Sequence, residues 1–245
     1  RIPHQRYIRK KRFCTFQISK TTSRLSAVNP VVDIVPPTIA KDPRTILLAT
    51  KKELFDEYNE IIWATPGIQT SNIAYGDVWK KVTFASNEGT YIEQTKLDVS
   101  LRINAVAKHH GEVQQSGISI GSLGDYSVVE GLHSKVKELA DKAIQLLAAP
   151  PCPGGEFTVV LDPILAGVFT HEAFGHLSES DFLYENDRMK EIMTLGRRFG
   201  NKHLNIIDGA AIPGLRASYN YDDEGVPATK TDLIREGILV GRLHC

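Results

Sequence analysis

The sequence predicts an α+β fold, on three observations. Two stretches, 43–63 and 129–149, carry apolar residues at three- and four-residue spacing, as amphipathic helices do. Between them, from Ile68 to Ser122, the apolar period drops to two, as in strands with one buried face. After them, Pro150-Pro151-Cys152-Pro153-Gly154-Gly155 stops regular structure and marks the best boundary in the chain. The expected organisation is a basic leader at 1–30, then an N-terminal α+β domain at 31–149 with helices on an antiparallel sheet. A Pro/Gly linker at 150–155 leads into a second domain at 156–245, with a motif helix and β-strands.

The leader gathers Arg1, Arg6, Arg9, Lys10, Lys11, Arg12, Lys20 and Arg24 before the first acidic residue, Asp33. A basic arm for anionic partners is one reading. A poorly ordered segment is the plainer one. Val31 to Pro37 reads as extended chain stopped by Pro36-Pro37. Leu47, Leu48, Leu54, Phe55, Tyr58, Ile61 and Ile62 mark the first helix, with Lys51 interrupting the stripe and Thr65-Pro66-Gly67 ending it. Ile68–Tyr75, Trp79–Ala85, Thr90–Thr95 and Asp98–Lys108 then read as strands of an antiparallel meander, with Asn87-Glu88-Gly89 as a turn. Gly117 to Ser122 adds a strand or a Gly-rich loop. In the second helix, Val136, Leu139, Ala140, Ala143, Leu146 and Leu147 form one stripe.

Beyond the linker, Glu156–Leu161 reads as a short buried strand closed by Asp162-Pro163, and Ile164–Leu177 as a helix. A long helix is expected at 183–198, on Leu183, Met189, Ile192, Met193 and Leu195, beside the motif helix. Asn205–Asp208 begins a strand, and the strand around Leu233–Leu239 is expected to offer an edge to an extended peptide.

Composition narrows the function. At 42% hydrophobic and 24% charged residues the chain has the make-up of a globular protein. Lys plus Arg and Asp plus Glu are both 29, so no basic excess calls for nucleic acid. No apolar run reaches the ~18 residues of a membrane span. Cys14, Cys152 and Cys245 are odd in number and far apart, which is no disulfide framework, and the leader has no apolar core of a secretory signal. A cytoplasmic protein is expected.

The chemistry concentrates in His171-Glu172-Ala173-Phe174-Gly175-His176. Two imidazoles and a carboxylate this close suit zinc. Histidines five residues apart, however, sit ~140° apart on a regular helix of 3.6 residues per turn. A widened π turn at Phe174-Gly175 absorbs the extra residue, and glycine tolerates such distortion. His171 and His176 are then candidate zinc ligands and Glu172 the candidate general base. On this string alone, two unrelated histidines and a solvated glutamate are an equal alternative.

Other candidates are weaker. Glu179 and Asp181 are hard donors close behind His176, though such residues more often cap or solvate a helix end. His203 and His244 read as structural, and His109-His110 beside Gly111 as a turn. Gly121-Ser122-Leu123-Gly124 lacks the features of a phosphate loop, and no G-x-S-x-G elbow occurs. Asp222-Asp223-Glu224 reads as a polar turn.

The His171–His176 string, preceded by Val159-Val160-Leu161-Asp162, resembles the signature of the TldD/PmbA family of zinc metallopeptidases. Tyr221-Asp222-Asp223-Glu224-Gly225-Val226-Pro227-Ala228, followed by Leu233–Leu239, is similar to that family's second motif. The likeness covers roughly residues 68 to 244. It implies a TldD-type subunit with zinc on His171 and His176, Glu172 as catalytic glutamate, and small or unfolded peptides as substrates. It also implies a homodimer, or a heterodimer with a related motif-free subunit, while the balanced charge and the lack of a long apolar run leave neither nucleic acid nor membrane as an expected partner. The family's third ligand is a cysteine further along the chain, and Cys245 does not match its position. A truncated metallopeptidase is the resulting expectation. The alternative is a non-catalytic peptide- or partner-binding piece lacking that ligand.

Overall fold

A computed structural model describes residues 29–244. All of the basic leader except Asn29 and Pro30 lies outside the described residues, as do Cys14 and Cys245. The fold is α+β. Strand β1 spans Val32–Val35, helix α1 Leu48–Trp63, strands β2 to β4 Ile68–Ala85, Tyr91–His109 and Glu112–Leu123, and helix α2 His133–Ala148. Helices α3, α4 and α5 span Pro163–Thr170, Ser180–Glu185 and Asp187–Ile192. Strands β5, β6 and β7 span Ile206–Gly209, Lys230–Arg235 and Ile238–Leu239.

The strands at 68–75 and 79–85 are one continuous β2, and those at 90–95 and 98–108 one continuous β3. Their antiparallel ladder runs unbroken from Ala85↔Tyr91 past Gly76↔Ser100, so Gly76 and Asp77 do not interrupt it. Gly117–Ser122 is part of β4, which pairs with β3 from Asp98↔Leu123 to His109↔Glu112. His110 and Gly111, with φ of 48° and 92°, close that hairpin. β1 pairs parallel to the start of β3, on the edge that β4 takes over further along.

The two faces of this sheet are buried at opposite ends. Successive side chains alternate faces. Val99, Leu101, Ile103, Ala105 and Ala107 of β3 point one way, into a core closed by Tyr58 and Ile62 of α1 and by Val136, Leu139, Ala140 and Ala143 of α2. The spacing of the α2 set is one helical stripe, and burying each large member contributes about 1.5–3 kcal/mol. Tyr58 keeps its polar tip satisfied there, donating to Val129 O at 2.8 Å and accepting from Leu132 N at 3.1 Å. At the start of β3, residues of the opposite parity are covered instead by the loop from Ala210 to Ala228. Gln94 Nε2 donates to Tyr221 O at 2.7 Å, Lys96 Nζ to Ser218 O at 2.9 Å, and Arg216 pairs with Asp98 at 2.7 Å.

The second sheet, ordered β5-β6-β7, shares a core with Phe174, Leu183 and Met193. β6 pairs with β5 from Lys230 to Ile234 and with β7 at Ile234 and Arg235, so both sides of the strand are taken at Ile234. Two further expectations are corrected here. Glu156–Leu161 is not a buried strand: it is irregular and pairs with nothing, and Val160 is 99% exposed. An apolar run becomes a strand only beside another strand, and the described residues supply none. The helix expected at 183–198 is two short helices instead. Asn186 leaves helical geometry (φ −130°, ψ 102°) and its side chain accepts from Met189 N at 3.2 Å, starting α5 as a new N-cap. The first helix likewise begins as a 3₁₀ turn at Pro43–Thr45 and becomes α-helical only at Leu48.

Candidate metal centre

Asp162 starts the motif helix. Its carboxylate accepts from Leu165 N at 2.8 Å, and Pro163 occupies the first turn, where its missing N–H is no loss. α3 then runs to Thr170, and His171–Gly175 forms one π turn. The His176 N–H donates to the His171 carbonyl, an i to i+5 bond. That bond stacks the two histidines on one side: their rings lie 4.5 Å apart, centre to centre, at 66°. Donor atoms of His171, Glu172 and His176 all lie within 4.8 Å of one another, and all three side chains are exposed. Gly175 has helical geometry (φ −55°, ψ −55°), so the turn does not rely on glycine's conformational freedom as its sequence position implied.

Packing holds the turn in place. Phe174 is buried against Phe199, ring centres 5.5 Å apart at 76°, while the Ser178 hydroxyl donates to Phe174 O at 2.9 Å. Phe174 therefore faces the second core and its polar neighbours face solvent. Glu179 Oε1 lies 2.8 Å from His176 Nδ1. A carboxylate accepts, so Nδ1 is the donating nitrogen of this contact and Nε2 is the ring nitrogen that Glu179 does not engage. In the sequence Glu179 reads as a hard donor or as a residue that caps or solvates a helix end. The signal for this pairing was its i, i+3 spacing from His176.

The other candidates stand apart from this group. Asp181 Oδ1 accepts its neighbour Phe182's N–H at 2.9 Å, and His244 Nε2 lies 3.2 Å from Ser180 Oγ. His203 follows a turn whose Asn201 side chain accepts its N–H at 2.8 Å. His109 and His110 lie at the β3–β4 turn. Asp222 Oδ1 accepts from the backbone N–H of both Glu224 and Val226 at 2.9 Å, which makes its motif a polar turn. Among the described residues, His171, Glu172 and His176 are the group of three donors close enough to share an ion. Two imidazoles and a carboxylate are donors that suit zinc.

Comparison with known proteins gives the same region a name. Residues 41–147 match the PmbA/TldA metallopeptidase central domain, and residues 154–245 match the PmbA/TldA metallopeptidase C-terminal domain. The chain belongs to the PmbA/TldD family of metallopeptidases. It is 47% identical to a metalloprotease of Synechocystis over 222 residues, 90% of this chain and 48% of that one. It is also 32% identical to a zinc metalloprotease TldD homolog of Saccharolobus solfataricus, over 71% of this chain and 39% of that one. The fold is similar to that of TldE from Thermococcus kodakarensis, with a TM-score of 0.54 at 15% identity, covering 88% of this chain and 49% of that one. The chain thus spans about half the length, or less, of these PmbA/TldD relatives. No helix among its described residues is long and apolar enough to cross a membrane.

Proposed function

We propose that this chain carries the metal-binding part of a zinc metallopeptidase that hydrolyses small or unfolded peptides. His171 and His176 hold the ion and Glu172 acts as general base. The supporting observation is the π turn, which gathers two imidazoles and a carboxylate on one exposed surface. Bound zinc would supply Lewis acidity, polarising the scissile carbonyl and making water easier to deprotonate. Glu172 adjoins His171 in sequence and takes the proton from the attacking water, then passes it to the leaving amine. Glu179 fixes the His176 tautomer and ring orientation, as carboxylates behind metal-bound histidines do.

Catalytic zinc ordinarily takes three protein ligands. With Glu172 reserved as base, the cluster provides two, so in this reading a third donor comes from outside the described residues. Pairing with a second subunit, a like copy or a related motif-free one, and a cytoplasmic setting belong to the same proposal. The two-histidine count also supports the second reading, a peptide- or partner-binding piece without catalysis.

Zinc content after gentle purification separates the two. About one zinc per chain, lost in His171→Ala, is the expected result. No zinc in the folded wild-type chain would refute the metal site in this chain and leave the second reading.

A further inference from the structure

Away from the π turn, the first sheet sets side by side two lysines that have no carboxylate partner among the described residues. Lys80 on β2 and Lys96 on β3 stand directly opposite each other in the ladder. Side chains so paired have Cβ atoms about 5 Å apart, and like charges there repel. Lys81, next along on the other face, is matched by Glu93 at 2.7 Å. Among the described residues, neither Lys80 nor Lys96 has an ion pair. Lys96 Nζ donates to Ser218 O at 2.9 Å and lies 4.9 Å from the centre of the Tyr219 ring. An ammonium has three N–H groups, so hydrogen-bonding capacity remains. Burial and then the charge of Lys80 hold Lys96 below the ordinary lysine range, as expected where negative charge is short.

Two cavities meet at Lys96. One, of about 250 Å³, is lined by both lysines and also by Asp222 and Asp223, whose carboxylates form no ion pair with them. The other, of about 420 Å³, shares Gln94, Lys96 and Tyr219 with the first and adds the apolar Pro36, Leu97, Ile212 and Pro213. The lining therefore offers cations, anions not paired with them, and an apolar recess next door. A simple dianion would meet the aspartates as well as the lysines. A zwitterion with an apolar group satisfies all three.

We propose that these adjoining cavities bind an α-amino carboxylate with an apolar side chain, either a free amino acid or a short peptide. Its carboxylate meets Lys80 and Lys96, its ammonium the Asp222 and Asp223 side, and its side chain the apolar recess. None of His171, Glu172 and His176 takes part, so the site is independent of the metal reading.

Calorimetric titration of the metal-free chain tests this, with L-leucine, L-leucyl-L-leucine, L-leucinamide, N-acetyl-L-leucine and inorganic phosphate as probes. Leucine or leucyl-leucine is expected to bind, and the tighter one identifies the source. Leucinamide, which lacks the carboxylate, and N-acetyl-leucine, which lacks the ammonium, should each bind at least about tenfold more weakly, the scale of one charge-assisted hydrogen bond. Lys80→Met, at an exposed position, should weaken binding by a similar factor, with Lys96→Met as the second variant. A His171→Ala/His176→Ala chain should bind as the wild type does. The proposal is overturned if neither leucine probe binds the folded chain, or if both lysine variants retain full affinity. It is equally overturned if leucinamide or phosphate binds as tightly, or if the double histidine variant loses binding.

Discussion

Lys51 interrupts the apolar stripe of α1, and the structure makes it the most exacting test of the first core. Its ammonium lies 2.7 Å from Asp77 Oδ2 on β2, with 10% of the lysine side chain and 25% of the aspartate exposed. It also sits 5.0 Å from the centre of the Tyr75 ring and 5.8 Å from that of Tyr126. Lys51→Met keeps most of the volume and removes the charge, leaving the Asp77 carboxylate unpaired. Breaking a buried pair costs about 3–5 kcal/mol, and the partial exposure of Asp77 places this one near 3 kcal/mol. Asp77→Asn should cost about 2–3 kcal/mol by stranding the ammonium, which the tyrosine rings partly offset. The double variant should cost no more than Lys51→Met alone, a coupling of about 2–3 kcal/mol. Urea unfolding followed by circular dichroism measures this as midpoint shifts at unchanged slope. Additivity of the single variants within about 0.5 kcal/mol would refute the pair as a coupled unit. Acid gives an independent check. Burial alone would raise the Asp77 pKa, but the hydrogen bonds and charge beside it prevail and hold it below the ordinary 3.8. The associated stability is present above the unfolded value and is lost as pH falls through the lower folded one. In Lys51→Met that acid-side loss should shrink.

Other outcomes follow from the same geometry. Leu139→Ala, at a position 3% exposed on α2, should cost about 2–5 kcal/mol in thermal or urea unfolding, whereas a surface-like cost would misplace the core. Gly237→Ala should cost at least about 2 kcal/mol, because φ is +80° and the new Cβ would lie 2.2 Å from Gly200 O. Gly175→Ala, by contrast, should be neutral or stabilising by up to about 1 kcal/mol, since its nearest neighbour would be His171 Nδ1 at 3.7 Å; a large loss would show that the π turn does need glycine. Glu179→Gln should weaken zinc binding about 10–100-fold in a competitive chelator titration, and unchanged affinity would remove it as the partner of His176.

Much of this was legible in local pattern. The period-two run from Ile68 to Ser122 specified strands, and the α2 stripe specified which of its own side chains turn inward, because alternation and helical period are properties of the chain itself. The i, i+5 spacing of His171 and His176 likewise demanded a π turn if the two were to meet, and the turn is present. Legibility failed where a second element had to decide. Glu156–Leu161 has the composition of a strand but, among the described residues, no neighbour to pair with. Leu183 to Leu195 has helical spacing, yet the Asn186 side chain competes for the backbone and splits it.

The sequence by itself pointed to the fold class and the family and marked His171 and His176 as candidate ligands and Glu172 as candidate base, since each rests on residue type and short spacing. Tertiary structure alone decided which face of the first sheet is covered at each end. The loop at 210–228 reaches across more than a hundred residues to meet Gln94 and Lys96, and no local period encodes a contact that distant. It likewise set Lys80 beside Lys96 and put Lys51 onto Asp77. Charges acquire their partners only when strands and helices far apart in the chain are brought face to face.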